Sequence, residues 1–179
     1  ALQAALCELA HDGKVVYHGH LGHELLSGIG HVLKVLLTAP IEFRIEQIRT
    51  RQSLTDVAAR HYIEEVDKAR SRRLILNIGK MSRDGAKRVI LETARLEEYQ
   101  PTAASDQAFN DLALSSRVYA TLFASPDIGR PNLEVRAENG HIHLKGRVDQ
   151  GLEDKVVKLV KNVSGVTKVT SDLYSTPPE

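Results

Sequence analysis

The sequence predicts an α/β chain in two parts: a partial doubly wound parallel sheet, followed by a small α+β domain of order α-β-β-α-β. Three observations carry that expectation. Apolar strand-like runs alternate with amphipathic helical patterns through the first half, the rhythm of a parallel sheet with crossover helices. A polar stretch around Pro101 then interrupts the pattern, and the residue before a proline is pushed away from helix. Beyond it, two alternating strands flank Asn139-Gly140, the residue pair that best supplies the positive φ angles of a tight hairpin.

The first half reads as follows. Ala1 to Ala10 is a helix with Leu2, Leu6 and Leu9 at helical spacing. It has no capping residue before it and does not begin with Met, so the chain is expected to be a portion of a longer protein. Lys14 to His18 contains the β-branched run Val15-Val16-Tyr17, a short strand. His31 to Ala39 is nearly continuously apolar, as a strand covered on both faces would be. Pro40 suits the first turn of the next helix, which places Ile41, Ile45 and Ile48 on one face and leaves Arg44, Arg49 and Arg51 to the others. Ser53 or Thr55 caps a further helix with Val57, Ala58, Tyr62 and Val66 as its buried stripe. Leu74 to Ile78 is a third strand and Asp84 to Leu96 a last helix. Three apolar strands are too few to complete a doubly wound sheet, so this half is expected to need cover from outside itself, or to aggregate or oligomerise.

The second half changes rhythm. Asp111 to Ala124 is a helix ended before Pro126, and Leu133–Ala137 and His141–Val148 are the hairpin strands. Leu152 to Asn162 is amphipathic through Val156, Val157, Leu159 and Val160. Gly165 breaks it, and Val166 to Leu173 alternates as a closing strand. The expected boundaries are residues 1–98 for the first domain, 99–106 for a linker and 107–176 for the second.

Composition narrows the function classes. Only 4% of the 179 residues are aromatic and none is Trp, which argues against base-stacking platforms and aromatic cages. The 24 Lys and Arg nearly balance 23 Asp and Glu, for a net charge of +1, so no nucleic-acid partner is expected. The one cysteine, Cys7, has no partner for an internal disulfide. No apolar run approaches the roughly 18 residues of a membrane span and no signal peptide opens the chain. A cytoplasmic location follows as the expectation.

Within the second half, Asp111-Leu112-Ala113-Leu114, Leu133-Glu134-Val135, Asn139-Gly140-His141-Ile142-His143-Leu144-Lys145-Gly146-Arg147-Val148 and Val163-Ser164-Gly165-Val166-Thr167-Lys168-Val169 occur in that order. Together they resemble a BON domain. Each glycine also has a mechanical reason: Gly140 makes the turn, Gly146 allows a bend or close approach, and Gly165 ends a helix as a left-handed cap. The resemblance implies a module that attaches to a protein partner or to phospholipid and has no chemistry of its own. No polybasic patch favours a lipid surface, so a protein partner or scaffold role is the stronger expectation, with lipid contact and small-ligand or ion sensing as the alternatives.

The first half, from Val15 through Arg73 with Leu76-Asn77 beyond, resembles the cytidylate-kinase-like branch of the P-loop nucleoside monophosphate kinases. The residues that carry it are His31-Val32-Leu33-Lys34-Val35, Thr38-Ala39-Pro40-Ile41-Glu42-Phe43-Arg44-Ile45 and Ile63-Glu64-Glu65-Val66-Asp67-Lys68-Ala69-Arg70-Ser71-Arg72-Arg73. A strand ending in Thr-Ala-Pro leads there to a helix with an early Arg, and a later helix carries the cationic cluster of a mobile lid. The resemblance implies transfer of a phosphoryl group from ATP, with Mg²⁺, to a nucleotide acceptor such as CMP. Arg70, Arg73, Arg44 and Arg49 would then stabilise charge, since this chemistry is mostly positioning and electrostatics. Lys68, His18 and His20 would be phosphate or nucleotide contacts. The competing reading makes Arg70 and Arg73 a solvated face balanced by Glu64, Glu65 and Asp67, in a degenerate kinase fold kept as a scaffold whose BON domain mediates assembly.

Two departures bear on this. No G-x-x-x-x-G-K-[ST] occurs in the sequence, and Gly79-Lys80-Met81 lacks both the leading glycine and the hydroxyl. The family would place its phosphate loop before Ala1. The lid segment before Leu74 is also shorter than the family usually carries. His18, His20 and His23 fall within six residues. Three imidazoles so close suit a transition metal, but no acidic partner other than Glu24 is near, and no metal centre is assigned. Gly28-Ile29-Gly30 lacks a third glycine and carries no dinucleotide fingerprint.

Overall fold

A computed structural model describes residues 1–13, 15–19, 21–69, 74–128 and 132–176. The chain divides into two compact units. One gathers Ala1–Ile29 with Pro101–Glu179, and the other is Gly30–Gln100.

In the first of these, α1 (Leu2–Ala10) and a short α2 (Gly22–Leu25) precede the long α6 (Ala103–Ala124), hairpin strands β3 (Asn132–Glu138) and β4 (His141–Asp149), α7 (Glu153–Lys161) and β5 (Lys168–Thr176). The predicted α-β-β-α-β order is present. The sheet runs β3-β4-β5, antiparallel between β3 and β4 and parallel between β4 and β5. Asn139 and Gly140 both have positive φ, 50° and 82°, as the two-residue turn requires. Strand β4 alternates as period two dictates: Ile142, Leu144 and Val148 are buried while His143, Lys145 and Arg147 face water. Leu114, Val118 and Leu122 of α6 and Val156 and Val160 of α7 close over the buried face in one apolar cluster. Each such side chain contributes about 1.5–3 kcal/mol by burial.

Helix α6 begins at Ala103, well before the Asp111 start expected from the sequence. Thr102 and Ser105 form a reciprocal capping box, each hydroxyl accepting from the other's backbone N–H at 3.1 and 2.9 Å, and this turns residues read as linker into helix. Helix α1 packs against α6. Of the three leucines expected on the apolar face of α1, Leu6 is buried beside Cys7, while Leu2 and Leu9 stay exposed. Burial raises the Cys7 thiol pKa, with nearby Arg117 of α6 acting weakly against it.

In the second unit, β1 (Val35–Thr38) pairs in parallel with β2 (Leu74–Asn77). Between them lie α3 (Ile41–Gln52) and α4 (Asp56–Ala69), and after them α5 (Arg83–Ala94) and a 3-10 turn (Glu97–Tyr99). The strand expected at residues 14–18 is absent: Val15–His18 has no regular structure and is exposed, and Lys14 lies outside the described residues. The strand expected from His31 shortens to four residues. Neither strand is covered on both faces, for Leu37 and Ile75 are each 54% exposed. The Ile41, Ile45 and Ile48 face of α3 packs as expected, against Ala59, Ile63 and Leu54. The predicted stripe of α4 is rotated. Val57 is 80% exposed and Tyr62 43%, because packing against α3 selects the Ala59–Ile63 edge of a helix that is apolar on two sides.

Gly146 has φ +138° and a Cβ there would overlap the Asn132 carbonyl oxygen of the paired strand. Gly146→Ala is expected to lower stability by more than the about 1–3 kcal/mol of backbone strain alone, whereas Gly151→Ala, at φ +83° but in open space, should lose no more than that strain. Chemical denaturation of both variants measures the difference. Glu153 opens α7, and its carboxylate accepts from its own backbone N–H, from the Ser175 hydroxyl and from the Gly151 N–H, which hold its pKa below the usual glutamate range. A lowered folded pKa stabilises above the unfolded value and is lost as pH falls through the folded one. The melting temperature of wild type should therefore fall more steeply than that of Glu153→Gln as pH drops from neutral to below the usual glutamate range.

Candidate functional site

The carboxyl ends of β1 and β2 lie side by side, Thr38 opposite Asn77, and in open α/β sheets ligands bind outside this edge. The Ile78 N–H donates to the Thr38 carbonyl at 2.9 Å. The Asn77 side-chain oxygen accepts from the Gly79 N–H at 2.9 Å, closing a turn that lays Gly79 against the Pro40 ring, where no Cβ fits. Pro40 is the N-cap of α3, so the helix starts directly at this edge, with Arg44 one turn in.

The Arg44 guanidinium is engaged. Its two terminal nitrogens donate to both oxygens of Asp67 on α4, at 2.8 and 2.7 Å. This fork-on-fork pair is the strong geometry for Arg and carboxylate. Arg49 lies further along α3 and donates to Glu46 at 3.0 Å and to Asp56 at 2.8 Å. The two arginines are five residues apart on one helix and so point to different sides. His18 is exposed in an irregular stretch. Lys68 falls in the last turn of α4, but its side chain lies outside the described residues, as do Arg70, Arg73 and His20. In the sequence Asp67 reads as a balance to the lid cations, but it pairs with Arg44, 23 positions away, a separation that no local pattern signals. The turn-forming role of Asn77 does have a local signal, an Asn shortly before a Gly at a strand end.

In the other unit, the solvent face of the sheet carries Glu134, Arg136, Glu138, His143, Lys145 and Asp172 around an open concavity of about 480 Å³. The strand register alternates sign, with Lys145 between Glu134 and Asp172, and Arg136 donates to Glu134 at 2.7 Å. Among the described residues no group of three or more His, Cys, Asp or Glu is gathered to hold a metal ion, and no helix is long and apolar enough to cross a membrane.

Comparison with protein families places these two regions. Residues 1–81 match the cytidylate kinase-like family and residues 110–174 match the BON domain. The chain carries a cytidylate kinase-like segment followed by a BON domain. No curated protein matches it. Asp111 of the BON domain, expected at the opening of its first helix, sits inside α6, where its carboxylate accepts from the Asn139 N–H at 2.8 Å and holds the hairpin turn. In the kinase-like segment the Thr38-Ala39-Pro40 passage from β1 into α3 has the strand-to-helix form that the resemblance implied.

The residues present include no phosphate loop for the ATP and Mg²⁺ that such a segment implies. The sequence has no glycine-rich loop ending in Gly-Lys-Ser or Gly-Lys-Thr, and backbone N–H groups of that loop are what cradle the β- and γ-phosphates. Gly79-Lys80 is occupied in a turn against Pro40. The triphosphate and its metal are therefore assigned no residue of this chain.

The Arg44–Asp67 pair links α3 to α4 with side chains 23% and 42% exposed. A double-mutant cycle of Arg44→Ala and Asp67→Ala is expected to return a coupling of about 1 kcal/mol, the upper end for exposed pairs. Denaturant unfolding of the four proteins measures it, and additive losses would show that the fork contributes nothing beyond solvated charge.

Proposed function

We propose that residues 1–98 are the acceptor-side and lid-side part of a nucleoside monophosphate kinase-like phosphotransferase, acting in the intact protein on ATP and a CMP-type acceptor. The observation that carries this reading is the meeting of Thr38, Pro40, Asn77 and the start of α3 at the carboxyl edge of a parallel strand pair, in a segment that matches the cytidylate kinase-like family. The acceptor nucleotide would lie along this edge. Arg70 and Arg73 are the guanidinium groups proposed to meet the moving phosphoryl charge, with Lys68 beside them in the sequence. Arg44 would join them by exchanging Asp67 for a phosphate, and Arg49, His18 and His20 would be peripheral contacts. Phosphoryl transfer asks the protein chiefly to hold charge in place, so arginines are the groups that matter.

We pair this with a protein-binding role for the BON domain, for which residues 107–176 are the proposed extent. Alternating charges on its solvent face suit a complementary protein surface better than a uniformly anionic lipid one. A second reading, a non-catalytic kinase fold serving as scaffold, is favoured by one observation: both Arg44 and Arg49 are already neutralised by carboxylates.

Turnover separates the two. If the intact protein phosphorylates CMP from ATP, Arg70→Ala or Arg73→Ala should lower the rate on the order of 10³-fold, the contribution of a guanidinium aimed at the transferring phosphate. The melting temperatures should hardly change. Wild-type turnover in the double variant would assign both arginines to a solvated face, and absence of activity in the intact protein would favour the scaffold.

A further inference from the structure

His141 and His143 stand two residues apart on β4 and therefore project from the same face of the sheet. That face is the exposed one, since Ile142 and Leu144 between and beyond them fill the core. Their ring centroids are 4.0 Å apart and the ring planes are inclined at 38°. The His141 ring is held in place by a 2.7 Å hydrogen bond between its Nε2 and the Thr170 hydroxyl on the neighbouring strand. The two imidazoles stand side by side on the central strand, on the solvent side of a sheet whose apolar face is already covered.

We propose that His141 and His143 form a two-nitrogen chelate for a divalent transition-metal ion of the zinc, nickel or copper type. The chemistry is suited to that class. Imidazole nitrogen is a borderline donor that binds these ions in preference to calcium or magnesium. Two nitrogens bound to one ion at about 2.0–2.1 Å each lie about 3 Å apart, a spacing within reach of rings whose centroids are 4.0 Å apart, with His141 contributing the nitrogen that is not bonded to Thr170. The Thr170 hydroxyl holds the His141 ring before the ion arrives, so less rotamer freedom is lost on binding. Water would complete the coordination, as the site opens to solvent.

The surrounding charges set how tight the site is. Glu138 lies opposite His141 on β3 and Lys168 opposite it on β5. Arg136 lies opposite His143, and Lys145 follows His143 on the same face. Glu138 attracts a dication, and Lys168, Arg136 and Lys145 repel it, so the site binds modestly and its affinity is adjustable by charge.

The test is a Zn²⁺ titration of the full chain followed by histidine ring-nitrogen NMR. The two rings of His141 and His143 should shift together with one saturable curve. His143→Asn should weaken that binding by at least about tenfold, a loss that even an outer partner of a metal ligand causes. Lys168→Gln, which leaves both ligands in place and removes a repelling charge, should tighten it. A triple variant His18→Asn, His20→Asn, His23→Asn, which removes the other histidine cluster, should leave the curve unchanged. Zinc that shifts neither ring, an affinity unchanged in His143→Asn, or weaker binding in Lys168→Gln would each overturn the proposal. Amide spectra of each variant report that the sheet is intact.

Discussion

The BON unit depends on a single helix, α6, which does three jobs. Leu114, Val118 and Leu122 bury against the sheet together with Val156 and Val160 of α7. Asp111 holds the β3–β4 turn through the Asn139 N–H, and Arg117 holds the α7–β5 turn through the Ser164 carbonyl at 3.0 Å. Helix α1 also packs on α6. The two turns also meet each other, since the Thr167 N–H donates to the Gly140 carbonyl at 2.9 Å. The sheet register that aligns His141 with Lys168, and His143 with Thr170, follows from this arrangement. A shift of β4 by one residue would turn every core side chain to water.

The kinase-like segment is held differently. Its helices α3 and α4 share a small apolar contact around Ile45, Ala59 and Ile63, reinforced by the Arg44–Asp67 fork, while its two strands keep apolar side chains such as Leu37 and Ile75 half exposed. A parallel strand pair with open apolar faces does not close a core by itself. The arginine proposed to meet an acceptor phosphate is the same one that ties the two helices together, so an acceptor phosphate at Arg44 would have to outcompete a bidentate carboxylate at 2.7–2.8 Å.

The BON half was legible in the sequence because its signals are local. The Asn-Gly turn and the period-two strands each act within a few residues and lie where they were expected. Gly165 has the expected positive φ of 93°, but α7 ends at Lys161 with Asn162 as its right-handed C-cap, so the glycine serves the turn into β5 and not the helix end. The other miss there, the early start of α6, came from reading Thr102 and Ser105 as linker polarity when their reciprocal capping geometry makes them a helix start. The kinase-like half was legible as alternating helix and strand but not in its faces. Val57, Ala58, Tyr62 and Val66 form as good an apolar stripe as Ala59 and Ile63, and only the position of α3 decides between them. Likewise Val15-Val16-Tyr17 has strand composition and no strand to pair with among the described residues. Of the candidate site, the edge at Thr38–Pro40 was readable from motif, whereas the Arg44–Asp67 pairing was set by tertiary packing across 23 residues.

The claim that the acceptor nucleotide lies along the carboxyl edge of β1 and β2 is tested most directly by titrating CMP into the full chain and mapping backbone amide shifts. The account predicts that the perturbed amides cluster at Ala39, Asn77, Ile78, Gly79 and Lys80 and at the start of α3, with the Arg44 side-chain signals moving as its fork leaves Asp67. Shifts confined to the BON sheet, or none at all, would contradict it.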